Sequence, residues 1–172
     1  RRPVTDRIRC LTLFLILAFS MPGDLGSEVT KRVFHVDRNE ENLFSTDAWK
    51  PFGKGFRKVG DTFYCENETT DEVRGAVQLV VLEQKVAARI MACASSKAIN
   101  VSGKSDIHFS LYFDIFYMDG DKALGKRESF STGSHDWEEK TFAFLPPKPI
   151  QSINCYLLFR KHSGMVLFRK QF

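Results

Sequence analysis

The sequence has few of the patterns that mark catalytic or metal-binding proteins. Its four cysteines and four histidines are scattered, whereas a zinc site usually brings two ligands within a few residues of each other. It contains no glycine-rich phosphate loop, internal repeat, low-complexity tract or block of like charges. The adjacent Ser134, His135 and Asp136 are the residue types of a hydrolase triad, but such a triad is assembled in space from separate positions. We therefore expect no enzyme activity, no cofactor and no metal site.

A long hydrophobic run is also missing. The apolar stretch 10–19 has about ten residues, fewer than the roughly 20 that are needed to cross a bilayer. Four arginines at positions 1, 2, 7 and 9 precede it, and small residues stand near its end, at Ala18 and Ser20. This order is typical of a secretory signal peptide with cleavage after Ser20. We therefore expect residues 1–20 to be a signal peptide, and the protein to be secreted and to have no membrane span.

Excess charge is largely confined to this leader. Removing residues 1–20 takes away four Arg and one Asp, so the formal net charge falls from +4 to +1. A nearly neutral chain gives no electrostatic reason to expect nucleic-acid binding. The apolar fraction of 43% and the 16 Phe argue against disorder. We expect a flexible lead-in at 21–30 and a single domain at 31–172, with truncation at both chain ends as an open alternative.

Three cysteines remain after the leader, and two glycosylation sequons accompany them. Three pairings of Cys65, Cys93 and Cys155 are possible; we favour a Cys65–Cys93 disulfide, because Cys155 alternates with apolar residues and should face the core. Asn67 and Asn100 each begin an Asn-X-Ser/Thr triplet in a predicted loop. Both are expected to carry glycans.

The strongest pattern lies in residues 107–117. Because strand side chains alternate between faces, its two sets of alternating residues should lie on opposite faces. The apolar set is Ile107, Phe109, Leu111, Phe113, Ile115 and Tyr117, and the other set is His108, Ser110, Tyr112, Asp114 and Phe116. Asp119-Gly120 follows and predicts a hairpin. Its return strand should end near Phe130.

Other short strands follow one another without a clear long helix. The candidates are 62–65, 75–84, 85–95, 137–145, 150–160 and 165–169, with a possible further strand at 31–36. The alanines of 85–95 also permit a helix, but helix start and stop residues are lacking. We expect an all-β fold, a jelly-roll β-sandwich of antiparallel strands. Trp137 should lie in its core, while Trp49, Phe52 and Phe56 should cover one end.

Several motifs resemble those of a known family. They lie at 75–78, 96–103, 114–120, 130–137 and 149–164. Together they make residues 59–169 similar to carbohydrate-binding-module-like jelly rolls of the galactose-binding-like type. The resemblance implies a secreted, non-catalytic glycan-binding module. Family members often carry two acids after the last Phe that help to hold a structural calcium, whereas here Arg169 and Lys170 follow Phe168.

The polar face of 107–117 is the candidate binding surface. Sugars need aromatic rings that stack on their C–H faces and polar groups that bond to their hydroxyls. The strand at 150–160 offers a similar mixture, and Trp49 is a further candidate for an exposed aromatic. The predicted carbohydrate site comprises His108, Tyr112, Asp114, Phe116, Asn154, Tyr156 and Arg160. Alternatively, this face is merely solvated or covered by loops.

Two functions therefore remain open. The first is a secreted module that binds carbohydrate through this aromatic and polar sheet face. The second is an extracellular structural or matrix domain that interacts with proteins and binds no sugar. The expected partner is accordingly a glycan or a component of the extracellular matrix.

Overall fold

A computed structural model describes residues 43–44 and 47–170 of the chain. Its ten strands form two antiparallel five-stranded sheets. Sheet A has the order β1-β4-β9-β6-β7 and sheet B the order β2-β3-β10-β5-β8. The strands are β1 Lys50–Pro51, β2 Arg57–Val59, β3 Thr62–Asn67, β4 Val73–Val81, β5 Ile90–Val101, β6 Phe109–Tyr117, β7 Lys122–Ser129, β8 Gly133–Phe144, β9 Ile150–Arg160 and β10 Gly164–Lys170. The expected all-β sandwich is confirmed.

Strand β6 holds the fold together as its alternation predicts. Its inward residues from Phe109 to Tyr117 are at most 5% exposed. They meet the inward side chains of sheet B: the ring centroids of Phe109 and Phe168 lie 5.9 Å apart, and those of Phe113 and Phe142 lie 4.4 Å apart. Burying each of these rings removes a large apolar area from water. The core is therefore a layer of aromatic and aliphatic side chains between the two sheets.

The predicted hairpin is present between β6 and β7. Gly120 has a φ of +89°, and the Asp119 carboxylate accepts a hydrogen bond of 3.1 Å from the Asp121 amide. Glycine takes this backbone conformation without the cost that a Cβ brings, and the aspartate closes the turn. The turn sets the register that places Tyr117 at the end of β6.

Some strand boundaries differ from those predicted. Residues 82–89 form a loop instead of the end of the predicted strand 75–84 and the start of the predicted strand 85–95. The buried Gln84 side chain secures that loop, because it accepts from the Ile150 amide at 3.0 Å and donates to the Ala88 carbonyl at 3.4 Å. The two- and three-residue strands β1 and β2 were not predicted. The signal peptide, the lead-in and the possible strand 31–36 lie outside the described residues.

The two tryptophans differ from their predicted positions, which were the core for Trp137 and an exposed site for Trp49. Trp137 does not lie in the core: it is on edge strand β8, where the Arg169 guanidinium covers its ring at 4.1 Å. Trp49 packs against the core, with its ring 5.7 Å from Phe44 and 5.8 Å from Phe63. Trp49 therefore helps to cover the core, as does Phe56, and is not an exposed binding aromatic.

The predicted Cys65–Cys93 disulfide is wrong for this fold. Strand β10 lies between β3 and β5, so two inter-strand spacings, roughly 10 Å in all, separate the cysteines. A disulfide requires Cα atoms within about 7 Å of each other. Cys65 also faces the core, whereas the Cys93 sulfur lies 3.1 Å from the Thr141 hydroxyl on the outer side. Burial raises the pKa of the Cys65 thiol to about 12. Cys155 is fully buried, as predicted.

Among residues 43–44 and 47–170, no helix is long and apolar enough to span a membrane.

Candidate functional site

The outer face of sheet A brings the predicted binding residues together. Strands β6 and β9 are neighbours, and their register places Tyr112 opposite Tyr156 and Asp114 opposite Asn154. Directly opposed residues of a sheet share a face. The inward neighbours of these four are buried, so the four point away from the core. Phe116 lies further along the same face, and His108 and Arg160 lie at its other end.

The centre of this face is a row of side chains that crosses all five strands. The register reads Lys50, Val77, Tyr156, Tyr112 and Arg127, from β1 to β7. The Tyr112 and Tyr156 ring centroids are 5.5 Å apart with an interplanar angle of 77°. Edge-to-face contacts of this kind are favourable and fix both rings.

Phe52 extends this row of rings. It lies just after β1, and its ring centroid is 5.2 Å from that of Tyr156, again at 77°. We call Phe52, Tyr156 and Tyr112 the aromatic row. All three side chains are half-buried, so each is held by neighbours and still reaches the solvent.

Asp114 and Asn154 place hydrogen-bonding groups beside the aromatic row. The Asp114 carboxylate accepts a 3.2 Å hydrogen bond from the amide of Gly125. A bulge in the β6–β7 pairing makes this contact possible, and Gly125 takes a φ of +76° there. A Cβ on Gly125 would lie 3.9 Å from the Tyr112 hydroxyl. The bulge therefore holds Asp114 against β7.

Both tyrosines of the row keep their protons at neutral pH. Burial raises the pKa of Tyr112, and the neighbouring Asp114 carboxylate raises it further. Burial and the Asp114 charge raise the pKa of Tyr156 in the same way, against a smaller opposing effect of Asn154. The face therefore offers two neutral hydroxyls, a carboxylate acceptor and an amide that both donates and accepts.

A second polar group fixes one end of the face. Arg160 donates from its Nε to the His108 Nδ1 at 3.0 Å, so that nitrogen is an acceptor. Burial lowers the pKa of His108, the Asp106 charge opposes this effect, and the Arg160 charge lowers the pKa further. The Asp106 carboxylate accepts from the His108 amide at 2.6 Å and lies 3.0 Å from the Nε2 of buried His162. His108 and Arg160 are therefore held by hydrogen bonds at one corner of the face, apart from the aromatic row.

The outer face of sheet A is open to solvent. Leu79, Val81 and Leu124 are 58%, 60% and 53% exposed, although all are apolar. Leu79 and Val81 face outward from β4 beside Asn154 and Ser152. Exposed apolar side chains that adjoin a polar and aromatic strip are typical of an interaction surface. Within the described residues, no loop covers these positions of the face, and the alternative of a merely solvated face stays open.

No protein-family model matches the chain, and no curated protein matches it. Solved structures do. One is a family 16 carbohydrate-binding module, with a TM-score of 0.50 and 12% identity over 73% of this chain and 84% of that one. The chain has the β-sandwich fold of carbohydrate-binding modules. Another is the enzymatically active domain of tailspike protein 4 from bacteriophage CBA120, with a TM-score of 0.50 and 9% identity over 73% of this chain. The chain spans 19% of that protein.

Sequence reasoning missed two members of the outer face of sheet A. Phe52 was predicted to cover an end of the core, but it contacts Tyr156 on the outer face. Arg127 was not singled out, because only the β6–β7 register reveals that it faces Tyr112. The hairpin at Asp119-Gly120 was an insufficient clue, because its register continued without a bulge would place Lys126 instead of Arg127 opposite Tyr112.

The two sequons have different environments. The Asn67 side chain is 2% exposed, and its amide nitrogen lies 3.0 Å from the His162 carbonyl and 3.5 Å from that of Phe159. A glycan on this nitrogen does not fit the folded chain, so Asn67 is not a glycosylation site in this structure. Asn100 is exposed at the end of β5 and stays a predicted site.

A polar cleft lies apart from this face, where the edges of the two sheets meet. It encloses about 420 Å³ and is lined by Lys54, Arg57, Tyr64, Glu66, Glu68, Glu72 and Arg74. Its charges largely satisfy one another: Lys54 contacts Glu72 at 2.8 Å, and the Tyr64 hydroxyl donates to Glu66 at 2.5 Å. In the described part of the chain, no group of three or more His, Cys, Asp and Glu is placed to hold a metal ion.

Proposed function

We propose that the protein is a non-catalytic carbohydrate-binding module and that the outer face of sheet A is its binding surface. The observation that carries this proposal is the aromatic row, which lies on an open face with Asp114 and Asn154 beside it. Phe52, Tyr156 and Tyr112 would stack on the C–H faces of successive sugar rings, while Asp114 and Asn154 would bond to hydroxyls.

Two further observations support a binding role without catalysis. A structure with the same fold carries the description of a carbohydrate-binding module and matches over most of its length. In addition, Asp114 is the single carboxylate among the outward strand residues of sheet A within the described chain. Glycoside hydrolysis generally needs two carboxylates on either side of the scissile bond.

A glycan array probed with the folded protein tests the proposal. We expect specific binding to polysaccharides that is lost in Tyr112→Ala. Removing an aromatic anchor from the centre of a binding surface costs about 2 kcal/mol or more, which is about thirtyfold in affinity.

Tyr64→Ala is the matched control for this experiment. Tyr64 is half-buried on the outer face of sheet B, so its removal should leave glycan binding unchanged. An array on which no glycan binds, or binding that survives the loss of both Tyr112 and Tyr156, contradicts the proposal.

A second candidate function is an extracellular structural or matrix domain that binds a protein. The exposed Leu79, Val81 and Leu124 favour it, because apolar side chains that remain in solvent often mark protein interfaces. Leu79→Ser should then abolish capture of a protein partner without changing the melting temperature. A silent glycan array together with such a captured partner would support this second function.

We also propose that the protein is secreted and carries a glycan on Asn100. The leader pattern of residues 1–20 and the exposure of Asn100 support this proposal. Expression in a secretory host should give a medium-borne protein that loses mass on glycosidase treatment, whereas Asn100→Gln should not lose mass. A protein retained in the cell with its leader intact would contradict secretion.

A further inference from the structure

The outer face of sheet A carries an excess of positive charge. Its outward strand residues include four cations and one acid. The cations are Lys50, Lys122, Arg127 and Arg160, and the acid is Asp114. This local net charge of +3 stands out because the formal charge of residues 21–172 is only +1.

These cations have no carboxylate partner within the described residues, whereas several cations elsewhere in the molecule do. Lys54, Lys97 and Lys148 all pair with acids, for example Lys97 with Asp136 at 3.0 Å. Arg160 contacts His108 instead of an acid. A neutral imidazole acceptor leaves the charge of the guanidinium uncompensated.

The cations also lie where a chain bound to the aromatic row would pass. Lys50 and Arg127 stand at the two ends of the row, four inter-strand spacings or roughly 19 Å apart. Arg127 donates to the Gly125 carbonyl at 3.2 Å, which holds its guanidinium beside the bulge that adjoins the Tyr112 hydroxyl. Lys122 is opposite Phe116, two positions further along the same face.

We infer that this face selects acidic polysaccharides, whose sugar rings carry carboxylate or sulfate groups, over their neutral counterparts. The inference rests on the proposed carbohydrate binding and names the class of ligand. The aromatic row would stack on the rings, while Arg127 and Lys122 would meet the anionic substituents. Arginine suits this task because its planar fork matches the two oxygens of a carboxylate.

The test compares polymers that share a sugar backbone and differ in charge. Binding of the full chain is measured to polygalacturonate and its neutral methyl ester, and separately to dextran sulfate and unmodified dextran. We expect tighter binding to the acidic member of at least one pair, and weaker binding of that member at high salt, since salt screens exposed charges. The first pair reports on uronate carboxylates and the second on sulfates.

Two variants then assign the effect to the face. Arg127→Gln and Lys122→Gln should each weaken binding to the preferred acidic polymer roughly two- to fivefold, the range expected for one exposed ion pair. Their affinity for the neutral counterpart should not change. Arg169→Gln makes the same change on the outer face of sheet B and should have no effect.

The outcomes distinguish failure of the acidic-polysaccharide inference from failure of the proposed carbohydrate binding. If the acidic and neutral members of both pairs bind equally, or if Arg169→Gln weakens binding as much as Arg127→Gln, the inference falls while carbohydrate binding stands. If neither these polymers nor any glycan on the array binds, both fall.

Discussion

The outer faces of the two sheets both carry aromatic side chains, but the groups that contact these rings differ. On sheet B, the Arg57 guanidinium covers Tyr64 at 4.5 Å and the Arg169 guanidinium covers Trp137 at 4.1 Å. On sheet A, the aromatic row is held by ring-to-ring contacts, and no cation covers its rings within the described residues. The rings of sheet B are thus already occupied by the chain's own cations, which leaves those of sheet A available to a ligand.

The charged groups of the two faces differ in a similar way. Lys97 and Asp136 pair at 3.0 Å on the side of sheet B, whereas Arg127 and Lys122 on sheet A have no acidic partner within the described chain. Where aromatic rings and charged groups already contact partners within the chain, a ligand adds few favourable contacts. Sheet A leaves its aromatic row and its cations without such partners, and this difference favours the outer face of sheet A as the candidate binding side.

The largest effects should separate the two faces of β6. Leu111→Ala should cost about 2–5 kcal/mol and Phe113→Ala about 3–5 kcal/mol, because both side chains are at most 2% exposed and each leaves a cavity. Tyr112→Ala should cost only about 0.5–1.5 kcal/mol, the value of an aromatic pair, because Tyr112 is half-buried. Urea unfolding of the three variants provides the measurement.

Equal destabilisation by Tyr112→Ala and Leu111→Ala would break the comparison. It would mean that the outer face of sheet A contributes to folding as the core does, and the case for an open binding surface would be lost.

Part of this arrangement could be predicted from the sequence, because alternation is a local property. The period of two in 107–117 separates the buried Leu111 from the outward Tyr112 without any knowledge of the neighbouring strands. The pairing of Tyr112 with Tyr156 follows once both strands are placed in one sheet.

The rest depends on contacts between distant parts of the chain. Arg127 reaches the face through a bulge, and Phe52 through the pairing of a two-residue strand with β4. The Cys65–Cys93 prediction failed because β10, the last strand of the chain, inserts between β3 and β5. The Asn67 prediction failed because a sequon is a local pattern, whereas burial of its amide depends on carbonyls more than 90 positions away.

A smaller effect should come from the bulge beside Asp114. Gly125→Ala should cost about 1–2 kcal/mol, because an alanine is strained at a φ of +76°. It should also weaken glycan binding, since the Gly125 amide holds the Asp114 carboxylate. The measurements are thermal melting and a binding isotherm.

Leu124→Ala is the neighbouring control. Leu124 is 53% exposed, so its truncation should change stability by no more than about 0.5 kcal/mol. If Gly125→Ala proves as neutral as Leu124→Ala, the bulge does not hold Asp114.

Removing a cation that covers an aromatic ring of sheet B should have a still smaller effect on stability. Arg169→Ala should cost about 0.5–1 kcal/mol, the value of an exposed cation–π contact, and should shift the fluorescence of Trp137 to the red as water reaches the ring. Trp49 packs on Phe44 and Phe63 and should not contribute to this shift. Lys97→Ala serves as control, and an unchanged spectrum in Arg169→Ala would show that the guanidinium does not cover Trp137.

The last prediction concerns pH and the corner of sheet A where Arg160 lies. Burial acts to raise the pKa of Asp106, but hydrogen bonds from the His162 ring and the His108 amide outweigh it and hold this pKa below its ordinary value. A carboxyl group whose pKa is lower in the folded state stabilises the fold when ionised. That stability is fully present above the unfolded pKa of about 3.9, and it is lost as the pH falls through the lower, folded value.

The melting temperature should therefore fall more steeply below about pH 4 in the wild type than in Asp106→Asn, which has no proton to bind at this position. Asp71→Asn, in an exposed turn, should keep the wild-type slope. Because Asp106 holds the His108 amide and His108 holds Arg160, acid should loosen this corner of sheet A and leave the cation-covered rings of sheet B in place. Trp137 fluorescence that changes along with the first acid-induced loss of stability would show that the two faces are not independent.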